Sequence, residues 1–293
     1  MISREKYEWM VKDTQQTEWV EGQGVFIVAA FFLGGISGGS YLATLYFNNL
    51  LGMFISWLLA LLMGVFYLLH LTKPIRFWRM VFKPQTSWIS RGLILISLFI
   101  GLVFIQLCLS YWLPGTGWEI VLKVLAGIMA FAQSIYTGFV LSYVKGIKFW
   151  NSALVPILFV ICGLVGGFGI LLAISLGGTY AEIEAIENIL RVLLVVYAII
   201  VTVYLLNSTY VDAVSKDSVM QLITGANAPI FWGGVVLFGI VVPIAISVTS
   251  YFAAEASAPL LITAVICEII GGFSLRYSIL KGGIYKPLIP IHS

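Results

Sequence analysis

Eight long apolar runs follow one another along the sequence, and they constrain its fold more than any other feature. They cover roughly 24–47, 51–71, 92–112, 120–144, 151–176, 188–208, 229–251 and 258–280. A helix that crosses the hydrocarbon core of a bilayer needs about 20 mostly apolar residues, whereas transmembrane strands alternate in polarity over about ten. The runs therefore predict eight transmembrane helices.

The composition excludes a water-soluble fold. Hydrophobic residues make up 60% of the chain and charged residues 10%, and soluble domains carry about 25% charge. Residues 1–22 form a polar tail that lacks the short apolar core of a cleavable signal. We predict an all-α integral membrane protein.

Polar segments separate the runs. Residues 73–91 hold five basic residues and two prolines, and 113–117 read as a turn. Residues 179–187 carry three glutamates and are predicted to form an acidic connection. The segments 208–218 and 253–259 are predicted to connect the later spans.

The basic residues divide unequally between the two membrane faces. An even number of spans places both termini on one face, here named side A, and the opposite face is side B. Side B has Lys123 and Arg191, and the other fourteen basic residues fall on side A. The positive-inside rule would make side A cytoplasmic, in the cell membrane. A basic face can also be a docking face, so a periplasmic or extracellular side A stays open.

The sequence offers few ligands for a metal or a haem. Cys108, Cys162 and Cys267 lie far apart in apolar runs, without metal-ligand or disulfide spacing. The histidines are His70 and His292, too few for the histidine pairs that hold b-type haem. We expect neither a metal nor a haem in this protein, and no nucleic-acid partner.

Glycines within the spans are spaced for close helix packing. Gly34–Gly38, Gly35–Gly39 and Gly163–Gly167 are each four residues apart, so each pair lies on one helix face. Packing is favoured over a ligand role for all three pairs. Pro156 and Pro243 are predicted to kink their helices.

The stretch "FAQSIYTGFV" (131–140) places polar groups inside a span. Gln133, Tyr136 and Thr137 fall on one helical face, nearer to side A than to side B. Polar groups at such depth are costly, so each needs a partner or a function. Hydrogen bonds between helices are the alternative explanation.

Other polar residues are expected at a similar depth. His70 ends the second span, Arg91 begins the third and Gln23 begins the first, while Arg276 lies one turn from the side A end of the last. A quinone suits such a place, because its polar head needs hydrogen-bond partners and its body is lipid-soluble. Interfacial anchoring is the alternative for His70 and Arg91.

Glu268 is the one carboxylate expected near the middle of a span. It could pair with Arg276 or be neutral, and a proton-linked role is possible. Because no second carboxylate is expected near it in depth, we expect no proton pumping. Quinone protons would then exchange with side A alone.

Five stretches stand out along the sequence: "FFLGGISGGSYL" (31–42), "KPIRFWRMVFKPQTSWISRGLIL" (73–95), "IYTGFVLS" (135–142), "FWNSALVPILFVICGLVGG" (149–167) and "GGFSLRYSILKGG" (271–283). In this order they resemble the NrfD family, the membrane subunits typified by polysulfide reductase. Together they extend over most of the sequence.

The resemblance implies two four-helix bundles without a redox centre, here 23–148 and 149–280, followed by a tail at 281–293. It implies a quinone site in the first bundle, with Tyr136 at the family's site tyrosine and menaquinone as the expected quinone. Gln133, Thr137, His70, Arg91 and Gln23 would surround it. A ferredoxin-like iron–sulfur subunit would dock on side A, with a molybdopterin-type catalytic subunit beyond it in a respiratory complex.

The sequence departs from the family pattern in its first span. Ile27 and Ala30 stand where the polysulfide reductase subunit has polar Asn and His residues near the quinone.

Two other classes of function are consistent with the composition. One is a secondary transporter, which the two equal halves and the Gly and Pro residues within the spans would support. The other is a structural membrane anchor that binds no quinone, which would have no need of Tyr136.

Overall fold

The computed structural model of the protein describes residues 14–253 and 257–285. Within these ranges it confirms the all-α membrane class, with eight helical spans long and apolar enough to cross a bilayer. In sequence order the elements are β1 Thr14–Gln15, a 3₁₀ helix Thr17–Trp19, α1 Gly24–Tyr46, α2 Leu50–His70, a 3₁₀ helix Pro74–Phe82, α3 Trp88–Trp112, α4 Gly117–Ser142, α5 Leu154–Ser175, α6 Tyr180–Val211, α7 Ala213–Ile223, a π-helical segment Ile230–Val241, α8 Val242–Phe252, α9 Ala258–Lys281 and β2 Ile284–Tyr285. The π-helical segment and α8 together form the seventh span.

Capping residues place several helix starts earlier than the apolar pattern predicts. The Ser87 hydroxyl accepts from the backbone N–H of Ser90, so α3 begins at Trp88 and already includes Arg91. The Thr179 hydroxyl accepts from Glu182 N–H and starts α6. The prediction that the acidic segment 179–187 is a connection is therefore wrong, because its polar residues form the first turns of a helix.

Two other predicted connections are largely helical. In 208–218, α6 continues to Val211 and α7 begins at Ala213, and 73–91 contains a 3₁₀ helix.

The two prolines that were predicted to kink their helices lie near helix starts. Pro156 is the third residue of α5, where a missing N–H breaks no helical bond, so it needs no kink. Pro243 follows directly on the junction between the π-helical segment and α8.

The two ends of the described structure meet on one face. β1 pairs antiparallel with β2, with Thr14 opposite Tyr285 and Gln15 opposite Ile284. The backbone N–H of Gln16 also donates to the carbonyl of Gly283 at 3.1 Å. This face is side A. Residues 1–13, 254–256 and 286–293 lie outside the described residues, so the predicted tails are seen only in part.

Helices α1 and α5 pack against each other at the centre of the molecule. A Cβ added to Gly39 would overlap the carbonyl oxygen of Gly163, and one added to Gly167 would overlap the backbone of Gly39. One added to Gly163 would lie 2.5 Å from the carbonyl oxygen of Gly35. The prediction that these glycines serve close packing is confirmed.

The same two helices connect the halves of the protein. α1 also contacts α2, α4 and α9, and α5 also contacts α4, α6 and α9. The division into separate bundles at residue 148 stays a prediction.

The glycine contact gives a first testable prediction. Gly39→Ala should lower the free energy of unfolding by about 1–3 kcal/mol, because its methyl group meets backbone that no rotamer can move. Gly64→Ala in α2 is the matched control, since a Cβ there has no neighbour within 4 Å. Thermal unfolding in detergent measures both, and equal midpoints for the two variants would contradict the prediction.

Candidate functional site

The polar face of α4 points into the space enclosed by α1, α2 and α3. Gln133 and Thr137 are fully buried, and Tyr136 is 6% exposed. Gly34 of α1 makes room for them, since a Cβ there would lie 2.9 Å from Gln133 Nε2 and 3.0 Å from Met63 Sδ of α2. The three residues predicted from the 131–140 stretch are therefore together in one packed cluster.

Tyr136 connects α4 to the start of α3. Its hydroxyl donates to the backbone carbonyl of Trp88 at 2.9 Å. Gly92, one turn further along α3, lies against the phenol, and a Cβ there would overlap the Tyr136 hydroxyl. The hydroxyl oxygen keeps its capacity to accept a hydrogen bond from a ligand.

Gln133 and Thr137 are poorly satisfied. Gln133 Nε2 donates to the Met63 thioether at 3.1 Å, a weak acceptor. Gln133 Oε1 and Thr137 Oγ1 are buried, and neither has a hydrogen-bond partner among the described residues. Buried polar atoms are normally hydrogen-bonded. A polar group of a bound ligand would supply the hydrogen bonds that these two oxygens lack.

Tyr67 is a member of this cluster that sequence reasoning missed. It lies one turn after Met63 on the same face of α2, and Met63 contacts Gln133. Its hydroxyl is buried and makes no hydrogen bond to the described part of the protein. The available signal was spacing, because Met63, Tyr67 and His70 fall at i, i+4 and i+7 on one face of α2.

His70 and Gln23 are paired at the side A boundary, one turn from Tyr67. His70 Nδ1 lies 3.0 Å from the backbone carbonyl of Gln23. A carbonyl only accepts, so Nδ1 carries the proton and Nε2 of the neutral ring is an acceptor. The Gln23 side chain is exposed. The structure thus brings these two predicted residues together through the Gln23 backbone.

Arg91 acts on the loop before α3. Its guanidinium donates to the carbonyls of Pro84 at 2.7 Å and Gln85 at 2.8 Å. It also lies over the Trp88 ring, 4.7 Å from the centroid. Because Trp88 supplies the carbonyl that Tyr136 binds, Arg91 holds the acceptor of the Tyr136 hydrogen bond in place.

Arg276 lies on the other side of α1 from this cluster. It is fully buried, and its guanidinium donates to Gly272 O at 3.0 Å and to Cys162 Sγ at 3.2 Å. It lies between the Phe32 and Phe159 rings, at 5.6 and 5.2 Å from their centroids. The sequence predicts a similar depth for it, but α1 separates it from Tyr136.

The possible pairing of Glu268 with Arg276 is wrong. Among the described residues no ion pair joins them, and both Glu268 oxygens are buried without a hydrogen-bond partner. Glu268 is 4% exposed and lines a small cavity with Glu187, Ser247 and Pro243. Eight residues of helix carry Arg276 about 12 Å along the axis, beyond contact distance.

One set of polar groups towards side B differs from the α4 cluster, because its members are bonded to one another. Gln106 accepts from Tyr41 at 3.1 Å and donates to Ser110 at 2.8 Å, and Ser110 donates to Glu119 at 2.6 Å. Both basic residues of side B pair with a glutamate one turn earlier, Lys123 with Glu119 at 2.7 Å and Arg191 with Glu187 at 3.7 Å. These groups need no ligand.

A groove of about 410 Å³ opens beside the cluster on side A, between the end of α4 and the start of α5. It is lined by Ile135, Phe139, Ser142, Asn151, Ser152, Ala153, Pro156 and Ile157. Phe139 stacks on Trp88 with ring centroids 5.9 Å apart. The groove is thus next to the Tyr136 acceptor, although the predicted site residues do not line it. In the described ranges, no group of three His, Cys, Asp or Glu residues could hold a metal ion.

Most of the chain matches a known protein family. The family model described as "Polysulphide reductase, NrfD" matches residues 12–287. The chain belongs to the NrfD family. With eight apolar spans, it is a multi-pass membrane protein of that family.

Three relatives of this NrfD-family protein extend the match. "Protein NrfD homolog" of Haemophilus influenzae is 25% identical over 86% of this protein and 91% of its own length. "Protein NrfD" of Escherichia coli is 25% identical over 76% and 79% of the two sequences. The C subunit of polysulfide reductase from Wolinella succinogenes is 22% identical over 73% and 74%.

The contrast between the two buried glutamines gives the second prediction. Gln133→Met should raise the free energy of unfolding of the ligand-free protein by about 1 kcal/mol, because the replaced amide is poorly bonded. Gln106→Met should lower it by about 1–3 kcal/mol, because Tyr41 and Ser110 lose a partner. Thermal unfolding of both variants in the same detergent is the measurement. A destabilised Gln133→Met would mean that the amide is a structural hydrogen-bonding group.

Proposed function

We propose that this NrfD-family protein is the quinone-interacting membrane subunit of a respiratory oxidoreductase complex. One observation carries the proposal. Gln133 Oε1 and Thr137 Oγ1 lie on the helical face that carries Tyr136, and Tyr67 lies one turn from Met63, which contacts Gln133. These two oxygens and the Tyr67 hydroxyl are buried and have no hydrogen-bond partner in the part of the protein that the structure describes. In the apolar interior of a membrane protein, such a set of atoms fits a ligand with a polar head and an apolar body.

The hydrogen-bonding types in the cluster match both forms of a quinone substrate. A quinone carbonyl needs donors, which the Tyr67 and Thr137 hydroxyls and the Gln133 amide N–H supply. A quinol hydroxyl needs acceptors, which Gln133 Oε1 and the Tyr136 hydroxyl oxygen supply while Tyr136 donates to Trp88. The same side chains therefore hold the head in either redox state. Menaquinone is the quinone that we propose.

His70 is the proposed proton acceptor at the side A surface. Interconversion of quinol and quinone moves a pair of electrons and both hydroxyl protons. Tyr67 lies one turn of α2 inside His70, and Gln23 fixes the His70 proton on Nδ1 and leaves Nε2 to accept. A ring nitrogen that is free to accept can take up a proton from the quinol side and pass it to water at the interface.

The electrons would be exchanged with a partner subunit on side A. The relative in Wolinella succinogenes is named as a component of polysulfide reductase, and that name supports a subunit role for this protein. We propose a ferredoxin-like iron–sulfur subunit at the face where β1 and β2 meet, and a molybdopterin-type subunit beyond it. A cytoplasmic side A follows the charge bias. Purification of the intact complex and identification of its subunits test these partners.

The third prediction concerns Tyr136. Tyr136→Phe keeps the ring and removes the hydroxyl, so quinol-linked turnover of the intact complex should fall roughly two- to tenfold, the equivalent of about 0.5–1.5 kcal/mol. Tyr111→Phe, at the exposed end of α3, is the control and should keep full activity. Turnover with a water-soluble quinol measures both.

A second variant separates the site from the fold. Gly92→Ala keeps Tyr136 but pushes its phenol out of position, because the new methyl group would overlap the hydroxyl. In Gly101→Ala, on the same helix, the methyl group has no neighbour within 4 Å. Gly92→Ala should therefore reduce turnover as Tyr136→Phe does, with Gly101→Ala unaffected. Full activity in an assembled Tyr136→Phe complex would remove the phenol from the proposed site.

Glu268 is the proposed proton-linked residue of the second half. Both of its oxygens lack hydrogen-bond partners among the described residues, and it lines a small cavity together with Glu187. We propose that it gains or loses a proton locally and that the subunit does not pump. The bonded groups Gln106, Ser110 and Glu119 form a structural network instead of a route to Tyr136.

The fourth prediction follows from that assignment. In sealed vesicles containing the whole complex, the protons moved per quinol should equal the scalar quinone protons, and Glu268→Gln should leave that ratio unchanged. The replacement of the carboxyl group by an amide keeps the volume of the side chain, so the complex should assemble. Additional translocation that disappears in Glu268→Gln, with electron transfer intact, would establish a pump.

A further inference from the structure

The 3₁₀ helix Pro74–Phe82, with the residue before it, aligns three basic side chains in one line and three apolar side chains in the next. A 3₁₀ helix has three residues per turn, so every third side chain is aligned. Lys73, which directly precedes the helix, is in line with Arg76 and Arg79. Ile75, Trp78 and Val81 form the neighbouring line. The segment is therefore cationic along one line and apolar along the next.

The apolar line is not used to pack the protein. Ile75 is 87% exposed and Trp78 is 51% exposed, and none of the nine residues in the helix is buried. The helix contacts α2 and α3, whose ends at His70 and Trp88 mark the boundary of the apolar layer. Exposed apolar side chains at that boundary are next to lipid acyl chains.

The cations of this segment have no counter-charge among residues 14–253 and 257–285. The sequence has no Asp or Glu between Glu21 and Glu119. In the described ranges, the side chains of Lys73, Arg76 and Arg79 form no ion pair or hydrogen bond with the protein. Side B differs, because both of its cations are paired with glutamates.

The guanidinium of Arg79 is oriented by an aromatic ring. Its central carbon lies 5.4 Å from the centroid of the Trp78 ring. Stacking on a ring uses one face of the planar group and leaves the N–H edges free. These edges match the oxygens of a phosphate.

From these observations we infer that the 3₁₀ helix Pro74–Phe82 is a binding site for anionic phospholipids. Lys73, Arg76 and Arg79 bind the headgroup phosphate, and the Ile75, Trp78 and Val81 side chains lie among the first methylenes of the acyl chains. Arg91 holds the following loop through the carbonyls of Pro84 and Gln85. The assignment does not depend on the quinone proposal.

Lipid selectivity is the test. The protein, with the subunits that co-purify, is reconstituted in phosphatidylcholine vesicles with a trace of spin-labelled phosphatidylglycerol or spin-labelled phosphatidylcholine. The fraction of label that is motionally restricted should be larger for phosphatidylglycerol than for phosphatidylcholine. This difference, here called the excess, should become smaller as the salt concentration is raised. In Lys73→Gln/Arg76→Gln/Arg79→Gln most of the excess should be lost.

The control removes the same number of charges from the same face. Lys145, Lys148 and Lys216 are exposed on side A and outside the 3₁₀ helix, so Lys145→Gln/Lys148→Gln/Lys216→Gln should keep the excess. Equal losses in both triple variants, or no loss in either, would overturn the assignment. Loss of a co-purifying subunit from the first variant, with phosphatidylglycerol restriction unchanged, would also overturn it and mark the segment as a protein-docking site. Unchanged circular dichroism of both variants verifies their fold.

Discussion

The close approach of α1 and α5 is the contact on which the rest of the structure depends. Their glycines allow backbone to meet backbone, and no larger residue fits at Gly39, Gly163 or Gly167. Because lipid is as apolar as the helix surfaces, close packing of this kind replaces the hydrophobic effect as the force between spans. It also fixes the rotation of α1, which directs Gly34 towards α2 and α4 and Gly35 towards α9.

That rotation separates two polar environments across one helix. Towards α4, Gly34 leaves space for Gln133 and Met63, and towards α9, Gly35 leaves space for the Arg276 guanidinium. A buried cation without a neighbouring carboxylate is costly. Arg276 is stabilised by hydrogen bonds to the carbonyls of Gly272 and Phe159 and by the faces of two aromatic rings. Adjacent glycines on α1 thus determine which polar groups can share a site and which cannot.

The sequence predicted the spans and the α4 face well, because both follow from helical periodicity and length. It failed where capping decided the boundary, as at Ser87 and Thr179, since a short polar side chain before charged residues resembles a loop. Tyr67 was missed because a tyrosine near the end of a span resembles an interfacial anchor. Only the structure reveals that its hydroxyl is buried and has no hydrogen-bond partner among the described residues.

The distinction between a structural and a ligand-binding polar group also needs the structure. Gln106 and Gln133 are both glutamines within apolar spans, and the sequence gives no basis for separating them. The Gln106 side chain is hydrogen-bonded to Tyr41 and Ser110. The Gln133 amide donates only to the Met63 thioether, and its Oε1 has no hydrogen-bond partner among the described residues. Since an unmet buried hydrogen bond costs stability, a protein that keeps one gives up stability for another purpose. One place where this protein does so is on the α4 face that carries Tyr136, under the face where its ends meet, and a polar ligand bound there would regain that stability.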